Sequence, residues 1–188
     1  MASQHRVPVI LTRPLEQAER FARSLPAAAL PVVSPLLRIT TRETDVDFAV
    51  YDGFLFTSAN AVRAIRDLAN ADGRIAYCVG DRTADAARSA GFSSQSAKGT
   101  ADDLVAMVAE QAPSGRLLHV HGEHIRGDVG ARLMSMGIKA DSAAVYDQLA
   151  QPLSDEAKRI ILERRCIVPL FSPRTAALFA EECPNAPF

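Results

Sequence analysis

The chain of 188 residues has no tryptophan, and its aromatics amount to only 6%. That composition argues against recognition by stacked bases or sugar platforms, which need large π surfaces. Cysteine is scarce and odd in number: Cys78, Cys166 and Cys183 fit no zinc spacing, which leaves reduced thiols in a cytoplasmic protein as the expectation. Cys78 lies in the apolar run Ile75–Val79 and is expected to be a core thiol. No apolar stretch approaches the roughly 20 residues of a membrane span, and Met1 to Arg6 lacks the apolar centre of a signal peptide. Charge of one sign is missing as well. A formal net charge of −1 gives no global field toward nucleic acid or membrane, so neither is expected as a partner and any anion site must be local. The chain also lacks Gly-x-Gly-x-x-Gly, a phosphate-cradling Gly-Lys-Ser/Thr and Gly-x-Ser-x-Gly. Their absence removes the main signals for dinucleotides, nucleoside triphosphates and a serine nucleophile.

The organising stretch that is present runs from Gly53 to Val62. Phe54, Leu55 and Phe56 form a short apolar run suited to a buried strand. Thr57 and Ser58 follow, with Ser58 at the N-cap position of a helix carrying Ala61, Val62, Ile65 and Leu68. Such a turn points free backbone N–H groups beyond the sheet edge, where anions bind readily. The pattern recurs from Ile167 to Leu178, where Ser172 stands 114 residues after Ser58 and Pro173 suits the first helical turn. Pro8–Arg13 and Leu117–Gly122 pair at a spacing of 109, and Pro31–Leu36 and Asp141–Tyr146 at 110. These offsets indicate an internal duplication into two related α/β halves, with a period far too long for a solenoid.

Strands are expected at 7–11, 29–33, 54–56, 75–79, 117–120, 140–146 and 166–171, with helices between them. Thr12 is expected to cap the first helix, and Gly91 to end the helix before it as a C′ glycine. Alternation of this kind means parallel sheets with helices on both faces. The polar stretches 40–47 and 148–154 are candidate linkers. Gly80 follows Ser58 by 22 residues, so the second copy should carry a matching glycine turn at about position 194, beyond Phe188. The second copy is therefore expected to be cut short.

The polar turns Thr12–Arg13, Thr57–Ser58, Gly80–Thr83, His121–Arg126, Tyr146 and Ser172 all follow the carboxyl ends of expected strands. Ligands of open α/β sheets bind along that edge. These turns offer many neutral donors and a few cations, which suits an extended polyanion held at many points. The plainer reading makes Thr12, Ser58, Thr83 and Ser172 helix N-caps and nothing more. His119, His121 and His124 invite a metal, but no second ligand cluster completes a set and no metal is expected. Tyr146 ends its strand. A phenol keeps its proton at neutral pH and is able to act as a general acid toward a departing oxygen. The alternative is a tyrosine at the sheet edge with its hydroxyl in water.

Ile10–Pro14, Phe56–Val62, Val79–Ala84, Gly122–Asp128, Val145–Tyr146 and Phe171–Pro173 resemble, in order and spacing, the motifs of uroporphyrinogen-III synthase. The resemblance covers essentially the whole chain. It implies two interleaved parallel-sheet α/β domains joined by two linkers: residues 1–39 with 151–188, incomplete at the C-terminal end, and residues 40–150. It further implies a cofactor-free monomer that cyclises the small-molecule substrate hydroxymethylbilane to uroporphyrinogen III. The reaction eliminates the hydroxyl, inverts the last ring through a spiro intermediate and closes the macrocycle. Eight carboxylates would call for many N–H and hydroxyl donors lining a cleft between domains. Chemistry would rest largely on holding a flexible chain in a cyclising shape.

By this resemblance Tyr146 assists departure of the hydroxyl. Arg13, Thr57, Ser58, Asn60, Gly80, Thr83, Gly122, Arg126, Ser172 and Pro173 bind substrate. His121-Gly122-Glu123 stands where bacterial members often have Arg-Gly-Glu. The competing reading is a non-catalytic tetrapyrrole- or polyanion-binding module on the same scaffold. A receiver or nucleotide-binding domain lacks the acidic cluster and the glycine motif it would need.

Overall fold

The computed structural model describes residues 6–125 and 127–184. The backbone divides into two compact units, Thr40–Gln148 and the pair of segments Met1–Ile39 and Leu149–Phe188.

The continuous unit is built on strands β3 (Leu37–Thr41), β4 (Gly53–Phe56), β5 (Ile75–Cys78), β6 (Ser93–Ser96), β7 (Leu117–Gly122) and β8 (Ala140–Ala150), in the spatial order β3-β8-β7-β4-β5-β6. The pairs β4–β5, β4–β7, β5–β6 and β7–β8 are all parallel. All four residues of β4 and all six of β7 are buried, as expected of strands covered on both faces. Leu55 and Tyr77 point into a core shared with Leu104, Val105 and Val108 of α4 (Ala101–Gln111) and Val129 and Leu133 of α5 (Val129–Ser135). Phe54 and Phe56, one position away, face the opposite side. There they meet the edge of Phe92 at 5.2 and 5.7 Å between ring centres. Helices α2 (Ala59–Ile65) and α3 (Asp81–Ser89) pack together on that side. The polar edge strand β6, Ser-Ser-Gln-Ser, offers little to a stray pairing partner.

After β3 at the far edge, the chain enters the centre of the sheet at β4, moves outward through β5 and β6, then returns with β7 on the other side of β4. The strand order therefore reverses between β4 and β7, and a crevice opens there at the carboxyl edge.

In the discontinuous unit, β1 (Val7–Leu11) pairs in parallel with β2 (Ala29–Val33). Ile10 joins Val32 and Leu36 against Ala157, Ile160 and Ile161 of α6 (Asp155–Glu163) and Phe179 of α7 (Pro173–Glu182). Val9 and Leu11 face Ala18 and Phe21 of α1 (Leu15–Ser24).

Four local expectations are corrected. The run Cys166–Phe171 is not a strand: only Ile167 bridges to Val9, because Pro169 within the run has no N–H to give to a ladder. Thr12 does not cap α1. Pro14 holds the N-cap position in extended backbone, and Thr12 is fully buried. Thr83 is not a cap either, since α3 starts at Asp81 behind Gly80. Tyr146 does not end its strand, because β8 runs on to Ala150 and takes the first residues of the expected linker. The expected caps Ser58 and Ser172 are present, accepting from Asn60 N and Thr175 N, and Gly91 follows α3 at φ 94°. Cys78 is buried, and desolvation pushes its thiol up to about 12. Among the described residues no helix is long and apolar enough to cross a membrane.

Candidate functional site

At the crevice beyond β4 and β7 lies a cavity of about 270 Å³. Thr57 and Ser58 reach it from the end of β4, His119, His121 and Gly122 from β7, and Tyr146 and Gln148 from β8. The turn after β7 adds His124 and Ile125. Ser58 Oγ spends an acceptor site on Asn60 N at 3.1 Å, which leaves its hydroxyl hydrogen to donate.

Tyr146 reaches the cavity through a shift of register. β7 and β8 pair in step from Leu117 with Ala140 up to His121 with Ala144, and then Gly122 pairs with Tyr146. Val145 is the extra residue, and such bulges re-aim side chains next to sites. Tyr146 is 4% exposed, and its ring lies against Gly122. A Cβ added at Gly122 would stand 2.6 Å from Cε2 and Cζ of that ring. Only glycine leaves room for it. Glu123 N donates to Tyr146 O at 3.0 Å, and Arg42 pairs with Glu123 and, at 3.5 Å, with Asp147. The two ends of the bulge are thus tied together.

Of the expected site residues, the cavity gathers Thr57, Ser58, Gly122 and Tyr146. Asn60, Gly80 and Thr83 do not line it. Asn60 accepts from Arg63, and Thr83 is buried within α3. Arg126 lies outside the described residues. His121, His124 and Ile125 belong to the polar turn expected on the ligand edge, whereas His119 and Gln148 were not anticipated as lining residues, although His119 was visible in the histidine run. Among the described residues no group of three His, Cys, Asp or Glu side chains could hold a metal ion.

Arg13, Ser172 and Pro173 belong to the discontinuous unit and form a cluster of their own. Ile10 N donates to Ile167 O at 2.8 Å, which brings the end of β1 beside the start of α7. The Arg13 guanidinium sits 4.3 Å above the Phe171 ring and donates to Gln17 Oε1 at 3.1 Å. Burial, and then the charge of Arg20, lower its pKa from the usual value. Phe21 meets Phe171 edge-on at 5.3 Å and steadies the platform. Ser172 Oγ lies 2.8 Å from Thr175 Oγ1, and Pro173 opens the helix.

A larger concavity of about 530 Å³ is bounded by Arg66 to Asp72 with Ala90 and Gly91. Those residues follow α2 and α3, so it lies away from the carboxyl edge. Its one arginine, Arg66, is paired with Asp67 at 3.3 Å and Asp72 adds a further carboxylate, so the lining has no excess of positive charge for an anion, and size alone does not make it the site.

The sequence model of the family described as Uroporphyrinogen-III synthase HemD matches residues 19–186. The chain belongs to the uroporphyrinogen-III synthase family. The family's activity, a cyclising hydro-lyase reaction of haem biosynthesis, is the one the sequence motifs implied, and membership favours it over a binding module. No curated protein matches the chain significantly. Among solved structures, uroporphyrinogen-III synthetase from Helicobacter pylori is similar with a TM-score of 0.65 and 17% identity, over 94% of this chain and 78% of that one. A mutant uroporphyrinogen III synthase from the extremely thermophilic bacterium Thermus thermophilus has a TM-score of 0.55 and 18% identity, over 96% of this chain and 79% of that one. At these identities the likeness concerns the fold: mixed α/β with predominantly parallel sheets.

Proposed function

We propose that the cavity beyond β4 and β7 is where the synthase family's reaction takes place in this chain, with Tyr146 as its general acid. The substrate would be hydroxymethylbilane. Its terminal hydroxyl leaves as water, accepting a proton or a strong hydrogen bond from the Tyr146 phenol as the C–O bond breaks. The electron pair of the adjacent pyrrole fills the vacated carbon. That carbon is then attacked by the last ring to form the spiro intermediate, which rearranges and closes to uroporphyrinogen III. The observation that carries this reading is the meeting of Tyr146, Gly122, Thr57 and Ser58 around one cavity.

The cavity is smaller than the ~300–1,000 Å³ of sites that enclose a whole ligand. It fits one reacting end of the chain with its acid arms, and leaves the rest of the tetrapyrrole outside. Thr57, Ser58 and Gln148 would donate to those arms. In the other unit, Arg13 and Ser172 would bind further carboxylates. Arg13 is suited to this because the stacked guanidinium keeps its planar fork pre-organised. Asn60, Gly80, Thr83, Pro173 and Arg126 complete the proposed binding set. We assign residues 1–39 with 151–188 to one domain and 40–150 to the other, acting as a cytoplasmic monomer without metal or organic cofactor.

The test is Tyr146→Phe. Loss of the proton donor should lower kcat by about 10²–10⁴-fold while KM stays near the parent value. An unchanged kcat would remove Tyr146 from the chemistry.

A further inference from the structure

Two histidines lie deep in this cavity. His119 and His121 stand two residues apart on β7, so both point to the same face. Their rings are 4.9 Å apart and tilted by 39°. Both line the cavity, yet His119 is 1% and His121 9% exposed.

The two rings are wired differently. Neither nitrogen of His119 has a hydrogen-bond partner. Asp128 Oδ1 comes no nearer to Nδ1 than 3.8 Å, and that oxygen already accepts from Ala131 N and Ser142 Oγ. Unpartnered buried polar atoms are costly and call for an explanation. His121 Nδ1 lies 2.8 Å from the carbonyl oxygen of Gly122. A carbonyl only accepts, so Nδ1 carries the hydrogen, and in the neutral ring Nε2 is a bare lone pair. A carboxylate gains nothing from a second acceptor. One proton on Nε2 converts that atom to a charged donor.

Among the described lining residues there is no Lys or Arg. The other titratable groups around the pair are Asp128 ahead of α5, His124 and Glu123 on the turn after β7, and Tyr146 on β8. Glu123 is held by Arg42. At the head of α4, Asp102 pairs with Arg132, and Asp103 closes the cap with Thr100. β4 contributes only the hydroxyls Thr57 and Ser58. Two charged rings this close repel, so the pair accommodates one proton, not two.

On the synthase reading of this cavity, we propose that His119 and His121 together take up a single proton from solvent when a substrate carboxylate enters, and that the resulting imidazolium is the carboxylate-binding cation there. No bond to substrate is made or broken. With the cavity empty, burial and then the neighbouring ring hold His119 down at about 4. The incoming carboxylate supplies the negative charge that reverses this balance. Anion and proton then enter as a neutral couple, which lowers the cost of placing charge in a buried site. A permanent arginine would have to carry that cost in the unliganded protein.

The experiment is calorimetric titration of the full chain with uroporphyrin III, the oxidised and stable octacarboxylate form of the product. It is run near pH 7 in two buffers of different ionisation enthalpy. The parent chain should take up close to one proton per ligand, and its affinity should fall about tenfold per pH unit through the alkaline range. His121→Arg should bind with no uptake and a flat pH profile. His121→Gln, which keeps a donor for the Gly122 carbonyl, should bind about tenfold or more weakly with no uptake. Absence of uptake in the parent, or parent-level uptake in either His121→Arg or His121→Gln, overturns the proposal. The synthase reading fails separately, by yielding only the type I isomer, and the proton count is decided by binding alone.

Discussion

Gly122 and Tyr146 occupy one space: the tyrosine ring lies where a side chain at position 122 would have to be, 2.6 Å from the place of its Cβ. The bulge at Val145 brings the two residues level, and the hydrogen bond from Glu123 N to Tyr146 O fixes them there. Gly122→Ala should therefore displace the phenol. We expect kcat to fall by about 10²-fold or more with a stability loss of about 1–3 kcal/mol, measured by turnover and thermal melting. Parent-level turnover would mean that the ring's position is immaterial.

The buried ring of His119 makes stability sensitive to acid. His119 has its pKa lowered to about 4, chiefly by desolvation, against about 6.5 in an unfolded chain. The folded state thus binds fewer protons than the unfolded state between these values. The stability contribution is complete above about pH 6.5 and is lost as pH falls toward 4, by about 3 kcal/mol in all. Urea unfolding of the parent and of His119→Leu at several pH values checks this. The leucine variant should lose that part of the acid dependence, and identical pH slopes would contradict it.

Much of the fold was legible because its signals are local. The apolar run before Thr57, the serine caps Ser58 and Ser172 and the glycine after α3 each depend on a few neighbouring residues. The bulge was not legible. It is a relation between β7 and β8, and nothing in Val145 or Tyr146 marks it. Gln148 reads as linker for the same reason, since only pairing reveals that β8 continues past it. The run Cys166–Phe171 shows the opposite failure. Its hydrophobicity reads as a strand, while Pro169 already argued against a full ladder. Thr12 and Thr83 have the right chemistry for caps, but each helix starts elsewhere, and both threonines are buried.

Arg13 supplies a third prediction. Its guanidinium is stacked on Phe171 and shares a hydrogen bond with Gln17, so lysine is no substitute. Arg13→Lys should raise KM for hydroxymethylbilane by about tenfold and change kcat little. Phe171→Leu should do the same more weakly, by loosening the platform. A KM unaffected by either change would detach this cluster from substrate binding.

The central claim is that this chain directs ring inversion. The most direct measurement incubates the folded protein with hydroxymethylbilane and separates the oxidised products by isomer, because unassisted closure gives uroporphyrinogen I. Predominantly type III product, reverting to type I in Tyr146→Phe, is the expected result. Only type I product from folded parent protein would contradict it.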